Sequence, residues 1–96
     1  MIPIVTEINV VLADGRRFSA TSVEISSGGM SFRTHEELSA NQTLEVSFAL
    51  LTLPRIWVKG AVSWRKPQSR TFGMRFEPSD DRRLKIKSWV ESYLEC

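Results

Sequence analysis

The chain has 96 residues, of which 42% are apolar and 25% are charged, and its formal net charge is +2. This length and composition predict a single globular domain over residues 1–96 and exclude general disorder. No apolar run approaches the ~20 residues of a membrane-spanning helix, and residues 1–7 lack the basic start and apolar core of a secretory signal.

The first part of the chain predicts two β-strands joined by a hairpin. Over 2–12 the even positions are mostly apolar, which is the period of a half-buried strand. The pair 14–15 (Asp-Gly) is a typical hairpin turn, and a second strand follows over about 17–25. The apolar positions of that strand change parity between Ala20 and Val23, which indicates a β-bulge or bend.

A polar corner interrupts the β pattern directly after the second strand. Residues 26–29 read Ser-Ser-Gly-Gly, and Met30 and Phe32 then mark a short third strand. Glycines at such a corner allow a positive φ or the close approach of another group to the backbone. We therefore expect a ligand site, where one exists, to lie at this corner. A polar loop follows over 34–42, and its histidine, His35, is assigned to solvent.

The second half of the chain predicts three more strands and one helix. Apolar residues alternate over 44–50, 56–64 and 72–76. Pro78 ends the last strand and Ser79 suits a helix N-cap, with acidic residues following in the first turn. The apolar residues beyond it recur at helical spacing: Leu84, Ile86, Trp89, Val90, Tyr93 and Leu94.

Six short strands followed by one helix predict a mainly β fold, a six-stranded antiparallel barrel with a C-terminal α-helix. The same pattern places Trp64 and Trp89 in the core, whereas Trp57 has the parity opposite to its apolar neighbours. Exposed aromatic residues are typical of protein-contact surfaces, so Trp57, Leu51 and Leu53 are candidates for one. The alternative is that the helix or a loop covers Trp57.

Four ordered segments make the chain similar to the PilZ domain family of bacterial receptors and adaptors in cyclic di-GMP signalling. The resemblance extends from Ile4 to Leu94 and implies the barrel fold and a regulatory role. The segments that carry it are the hairpin at 14–18, the corner at 24–30, the strand pair 62–64 and 72–76, and the helix start at 78–82.

The resemblance implies a nucleotide site at the corner. Family members that bind cyclic di-GMP have the pattern (Asp/Asn)-x-Ser-x-x-Gly, which this chain matches with Glu in the first place. Glu24, Ser26, Gly28 and Gly29 are therefore the candidate cyclic di-GMP residues. Glu24 keeps the carboxylate but places it one methylene farther out. The alternative is a purely structural corner, in which the serine caps a turn and the glycines take positive φ.

The second element of the family's ligand site is absent from this sequence. Receptors in the family carry an R-x-x-x-R pair before the first strand, and its arginines bind phosphate and stack on guanine. No R-x-x-x-R occurs here, and Arg16 and Arg17 are adjacent and lie in the first hairpin. We therefore expect weak or no cyclic di-GMP binding by the isolated chain, and an adaptor role through a protein partner in pilus assembly, motility or surface polysaccharide production.

Two alternatives remain at this point. The chain is a genuine cyclic di-GMP receptor if a partner chain or a segment outside this sequence supplies the arginines. It is a single-stranded nucleic-acid-binding barrel if its basic residues form a patch, although they are scattered along the sequence. No residue pattern indicates catalysis, a metal site or a cofactor. The single cysteine, Cys96, excludes an internal disulfide and favours a cytoplasmic location.

Overall fold

A computed structural model describes residues 2–50 and 54–95 of the chain. Within these ranges the strands and the helix follow one another in a simple order. They are β1 (Ile2–Pro3), β2 (Glu7–Leu12), β3 (Arg17–Ile25), β4 (Gly29–Arg33), β5 (Thr43–Phe48), β6 (Ile56–Lys66), β7 (Thr71–Phe76) and α1 (Arg83–Glu95). No helix in this part of the chain has the length and apolar character needed to cross a membrane.

The sheet closes on itself into the predicted six-stranded antiparallel barrel. Strands pair in the order β3-β2-β5-β6-β7-β4, and β4 pairs with β3 again to complete the ring. The long strand β3 makes closure possible, because its first half pairs with β2 and its second half with β4. The short β1 is a seventh strand, which pairs with the end of β3 opposite β4.

The first predicted strand is split in two, which corrects the expectation of one continuous strand over 2–12. The break lies between Pro3 and Glu7, where the buried side chain of Ser22 on β3 forms hydrogen bonds with the backbone of this segment. The Ser22 hydroxyl donates a hydrogen bond to the carbonyl of Ile4, 2.5 Å away, and accepts one from the amide of Thr6, 3.0 Å away. Two backbone bonds still join this segment to β3, from the Ile4 amide to the Val23 carbonyl and from the Ser22 amide to the Thr6 carbonyl, and the Ser22 hydroxyl adds the bonds between them.

Two β-bulges set which residues face the core. In β3 the register with β4 shifts between Ser22 and Glu24, so Val23 is the extra residue and the predicted bulge is confirmed. In β6 the register with β7 shifts between Val62 and Trp64. This second shift turns Trp64 outward, and its side chain is 40% exposed. The expectation that Trp64 is a core residue was therefore wrong.

The helix packs on the barrel over a narrower face than the spacing predicts. Ile86 and Val90 are fully buried and Trp89 is partly buried against the core. Leu84 and Tyr93 are exposed, at 46% and 53%, because only about one side of a lone surface helix meets the sheet. The side chain of Leu94, and Cys96, lie outside the described residues.

The helix begins at Arg83, four residues beyond the predicted N-cap Ser79. The Ser79 hydroxyl donates instead to the Glu77 carboxylate, 3.1 Å away. Asp80 stabilises the turn that precedes the helix. Its carboxylate accepts hydrogen bonds from the amides of Lys59 and Arg82, at 2.9 and 3.0 Å. A backbone amide 21 positions away along the chain therefore helps to hold the turn that precedes the helix.

Candidate functional site

The predicted corner between β3 and β4 is a tight turn closed by its own hydrogen bonds. The amide of Ser26 donates to the carbonyl of Gly29 at 2.8 Å, and the Ser26 hydroxyl donates to the same oxygen at 3.1 Å. Ser27 and Gly28 form the exposed tip of the turn. The hydroxyl of Ser26 thus holds the turn together, while its oxygen keeps lone pairs that can accept from a ligand.

The two glycines of the corner differ in what surrounds them. A Cβ on Gly29 would lie 2.2 Å from the carbonyl oxygen of Met74, so Gly29 is required where β4 approaches β7. A Cβ on Gly28 would meet nothing within 4 Å. Neither glycine has the positive φ that the alternative, structural interpretation assigned to them. The close approach at Gly29 comes from a neighbouring strand, whereas the space beside Gly28 is open.

Glu24 lies beside the corner with its carboxylate unused. It pairs with Ser31 on β4 and with Pro3 on β1, and its side chain is partly buried. It forms no ion pair or hydrogen bond with any other described side chain. A carboxylate of this kind is available to accept hydrogen bonds from a ligand's N–H or O–H groups.

An outward-facing row of residues extends from Glu24 across the barrel. By register, Glu24 pairs with Ser31, Ser31 with Gly73, and Gly73 with Trp64. The Lys66 ammonium lies 5.5 Å from the centre of the Trp64 ring. The exposed indole is a functional candidate that the sequence analysis missed. Gly73 was the available signal, because a glycine within a strand often marks a close approach.

The arginines of the first hairpin lie far from this corner. Arg17 begins β3 and Glu24 lies near its other end, about 23 Å along the strand at ~3.3 Å per residue. Arg16 is held by the Asp14 carboxylate at 2.9 Å. The backbone amide of Arg16, more than its guanidinium, keeps the pKa of Asp14 below its usual value. The arginine beside the corner is instead Arg75, the exposed β7 residue that pairs with Gly29.

Trp57 occupies a separate surface of the barrel. It is 37% exposed and lines a groove of about 400 Å³ with Asn9, Arg17 and Ser19, among others. Trp57 pairs across the strands with Ser47, Ser47 with Asn9, and Asn9 with Ser19. The groove therefore crosses the outer face of β6, β5, β2 and β3. The other two protein-contact candidates, Leu51 and Leu53, lie outside the described residues.

No grouping of three metal-ligating side chains occurs within residues 2–50 and 54–95.

His35 is exposed, as expected for the loop that follows β4. That loop also contributes one core residue, because Leu38 is buried and its carbonyl accepts from the Arg65 guanidinium at 3.2 Å.

Comparison with known proteins gives a consistent result for the whole barrel. The sequence model of the PilZ domain family matches residues 2–92. The crystal structure of the PilZ domain of CeSA from a cellulose synthesizing bacterium superposes with a TM-score of 0.76 at 15% identity. That superposition covers 99% of this chain and 97% of the other, and at this identity it shows the fold alone. No curated protein sequence matches the chain.

Proposed function

Because this chain belongs to the PilZ domain family, a family of cyclic di-GMP signalling, we propose that it is a non-catalytic adaptor. It acts in the cytoplasm through protein contacts, and the isolated chain binds cyclic di-GMP weakly or not at all. The family's domains are regulatory or binding modules. The residues at the corner between β3 and β4 decide whether this member binds the nucleotide or acts through a protein partner alone.

The observation that carries this proposal is the lack of an arginine pair to hold the phosphates. No R-x-x-x-R occurs in the sequence, and Arg16 and Arg17 lie at the wrong end of β3. A charge-assisted hydrogen bond contributes about 1.5–3 kcal/mol, and two arginines form several. Their loss corresponds to about a thousandfold in affinity, at about 1.4 kcal/mol per tenfold.

The corner itself supports the same conclusion. The requirement for Gly29 is accounted for by its approach to Met74, and the Ser26 hydroxyl donates within its own turn. Glu24 offers a longer and more flexible carboxylate than the aspartate or asparagine of the family pattern. The features that resemble a nucleotide site therefore also serve the fold.

The protein-contact surface that we propose is the groove beside Trp57. It combines an exposed indole with the cation of Arg17, whose side chain forms no hydrogen bond or ion pair with the described residues. Aromatic and arginine side chains are the residues most often found at the centre of protein interfaces.

A second candidate function is that of a genuine cyclic di-GMP receptor, and the course of β1 favours it. Pro3 pairs with Glu24 and Ile2 with Ile25 in an antiparallel manner. A chain segment that precedes Ile2, or one from a partner, would run past the corner and bring arginines to Glu24 and Ser26. Arg75, which pairs with Gly29, is a further cation beside the same site.

Calorimetric titration with cyclic di-GMP, with linear di-GMP as the control ligand, separates the two functions. We expect no saturable heat for the isolated chain at high micromolar nucleotide. Submicromolar binding that is selective for the cyclic form and lost in Glu24→Ala would establish the receptor instead. Arg75→Ala and Arg16→Ala form a matched pair for that case, since only the first arginine lies beside the corner.

A further inference from the structure

A second concave site lies away from the corner, where β4 ends and β7 begins. It is a cavity of about 330 Å³ between the outer face of β2–β3 and the loops that follow Arg33 and precede Thr71. Arg33 is separated from Gly29 by the length of β4, which is about 13 Å at ~3.3 Å per residue. Its polar lining includes Glu7, Thr21, Arg33, Thr34, His35 and Arg70.

Two arginines without partners share this cavity. The side chains of Arg33 and Arg70 form no ion pair or hydrogen bond with any residue in the described ranges. Most other arginines of the barrel are engaged. Arg16 and Arg82 are ion-paired, whereas Arg55, Arg65 and Arg83 donate to Ser47, Leu38 and Pro78. Two free guanidinium groups at one concavity are suited to bind an anion.

The backbone around these arginines is held in place. Arg70 has φ 53°, a left-handed conformation that is uncommon for a residue other than glycine. Its carbonyl accepts from the amide of Thr34 at 3.1 Å, and Arg33 pairs with Thr71 across β4 and β7. Arg70 ends the short 3₁₀ turn 67–69 and its amide donates to the Pro67 carbonyl at 3.2 Å, so the backbone from which its side chain extends is fixed relative to Arg33.

We propose that this cavity binds a small phosphate ester. Arg33 and Arg70 would hold the phosphate, since the planar guanidinium donates two parallel hydrogen bonds to phosphate oxygens. Glu7 lines the same cavity and would accept hydrogen bonds from the hydroxyl or amino groups of the organic part. His35 and the hydroxyl of Thr21 add polar groups to the walls.

The shape of the cavity favours a small molecule over a membrane headgroup or an acidic peptide. Its volume lies at the lower end of the roughly 300–1,000 Å³ of small-molecule pockets. The presence of Glu7 disfavours a partner with several separate anionic groups, because an anionic group beside the Glu7 carboxylate would be repelled. This inference does not depend on whether the corner binds cyclic di-GMP.

The test is a titration of the full chain followed by amide chemical shifts in ¹H–¹⁵N spectra. The probes are inorganic phosphate, ribose 5-phosphate and GMP. The variants are Arg33→Gln and Arg70→Asn, the second chosen because asparagine tolerates the left-handed conformation at position 70. The control is Lys85→Gln, which removes one positive charge from an exposed side chain on α1 that forms no ion pair with the described residues and does not line this cavity.

We expect saturable shifts confined to the cavity, with each variant weakening binding at least about tenfold and the control leaving it unchanged. Tighter binding of GMP or ribose 5-phosphate than of phosphate would support the proposed ester and identify its class. The proposal is overturned if no probe gives saturable shifts, if phosphate binds as tightly as both esters, or if Lys85→Gln weakens binding as much as the cavity variants do. The spectra of the free variants serve to check that each is folded.

Discussion

The indole ring of Trp64 lies directly over Gly73, and a Cβ on Gly73 would stand 2.1 Å from the Nε1 and Cε2 atoms of that ring. The arrangement depends on the bulge in β6, which turns Trp64 to the outer face and pairs it with Gly73. An exposed aromatic ring is therefore fixed in position by a glycine on the adjacent strand, in the row that leads to Glu24.

Substitution Gly73→Ala should displace this ring. The added methyl group cannot coexist with the indole in its present position, so we expect a loss of about 1–3 kcal/mol in the free energy of unfolding. The tryptophan emission should shift as the ring moves. Denaturant unfolding followed by fluorescence and by circular dichroism measures both effects.

The double variant Gly73→Ala/Trp64→Ala provides the control for that substitution. If the clash with the indole causes the loss, alanine at position 73 should cost much less once the ring is absent. Equal costs in the two backgrounds would mean that the backbone, and not the indole, requires glycine there.

The glycine pair of the corner gives a second prediction. Gly29→Ala places a methyl group 2.2 Å from the Met74 carbonyl, and because backbone atoms cannot easily move aside, we expect a loss of about 3 kcal/mol or more. Gly28→Ala meets nothing within 4 Å and should leave stability nearly unchanged. Thermal unfolding of the two variants checks the contrast, and similar melting temperatures would contradict it.

The local patterns of the sequence predicted most of the barrel. Alternating apolar residues and the Asp-Gly turn located the strands, and the change of parity between Ala20 and Val23 predicted the bulge in β3. The bulge in β6 left no such mark, because its apolar residues keep one parity through Trp64. The alternation of apolar residues does not reveal the register shift between Val62 and Trp64, and that shift moves Trp64 from the core face to the outer face.

The candidate sites were predictable only in part for the same reason. The corner 24–29 could be found because its residues are contiguous in the sequence. The position of Arg75 beside Gly29 and the presence of Arg33 and Arg70 at one cavity both depend on the register between β4 and β7. Pairings between strands far apart in the sequence are set by the closed barrel and not by local composition.

Asp80 supplies a prediction about acid stability. Its side chain is only 9% exposed, and the Arg82 guanidinium, followed by the amide of Lys59, holds the pKa of its carboxyl well below the ordinary value of 3.8. Asp80→Asn should lower the free energy of unfolding by about 1–3 kcal/mol at neutral pH. Asp81→Asn is the matched control, because that neighbouring carboxylate is exposed and unpaired among the described residues.

The pH dependence of the Asp80 effect has a definite sign. Because the pKa is lower in the folded state, the stabilisation is fully present above the ordinary value of 3.8 and is lost as the pH falls toward the lowered pKa. The difference between wild type and Asp80→Asn should therefore shrink below that value. Denaturant unfolding at a series of pH values measures it, and a difference that grew on acidification would refute the assignment.

Ser22 explains why the chain breaks between β1 and β2, and its removal should be costly. In Ser22→Ala the amide of Thr6 and the carbonyl of Ile4 lose their partner, and we expect a loss of about 1–3 kcal/mol. Hydrogen exchange at the Thr6 amide should accelerate, since that amide donates to Ser22. Ser19→Ala, on the exposed side of the same strand, should change neither quantity. If Thr6 remained protected in Ser22→Ala, water or a local shift would be satisfying its amide, and the side chain of Ser22 would not be what holds β1 apart from β2.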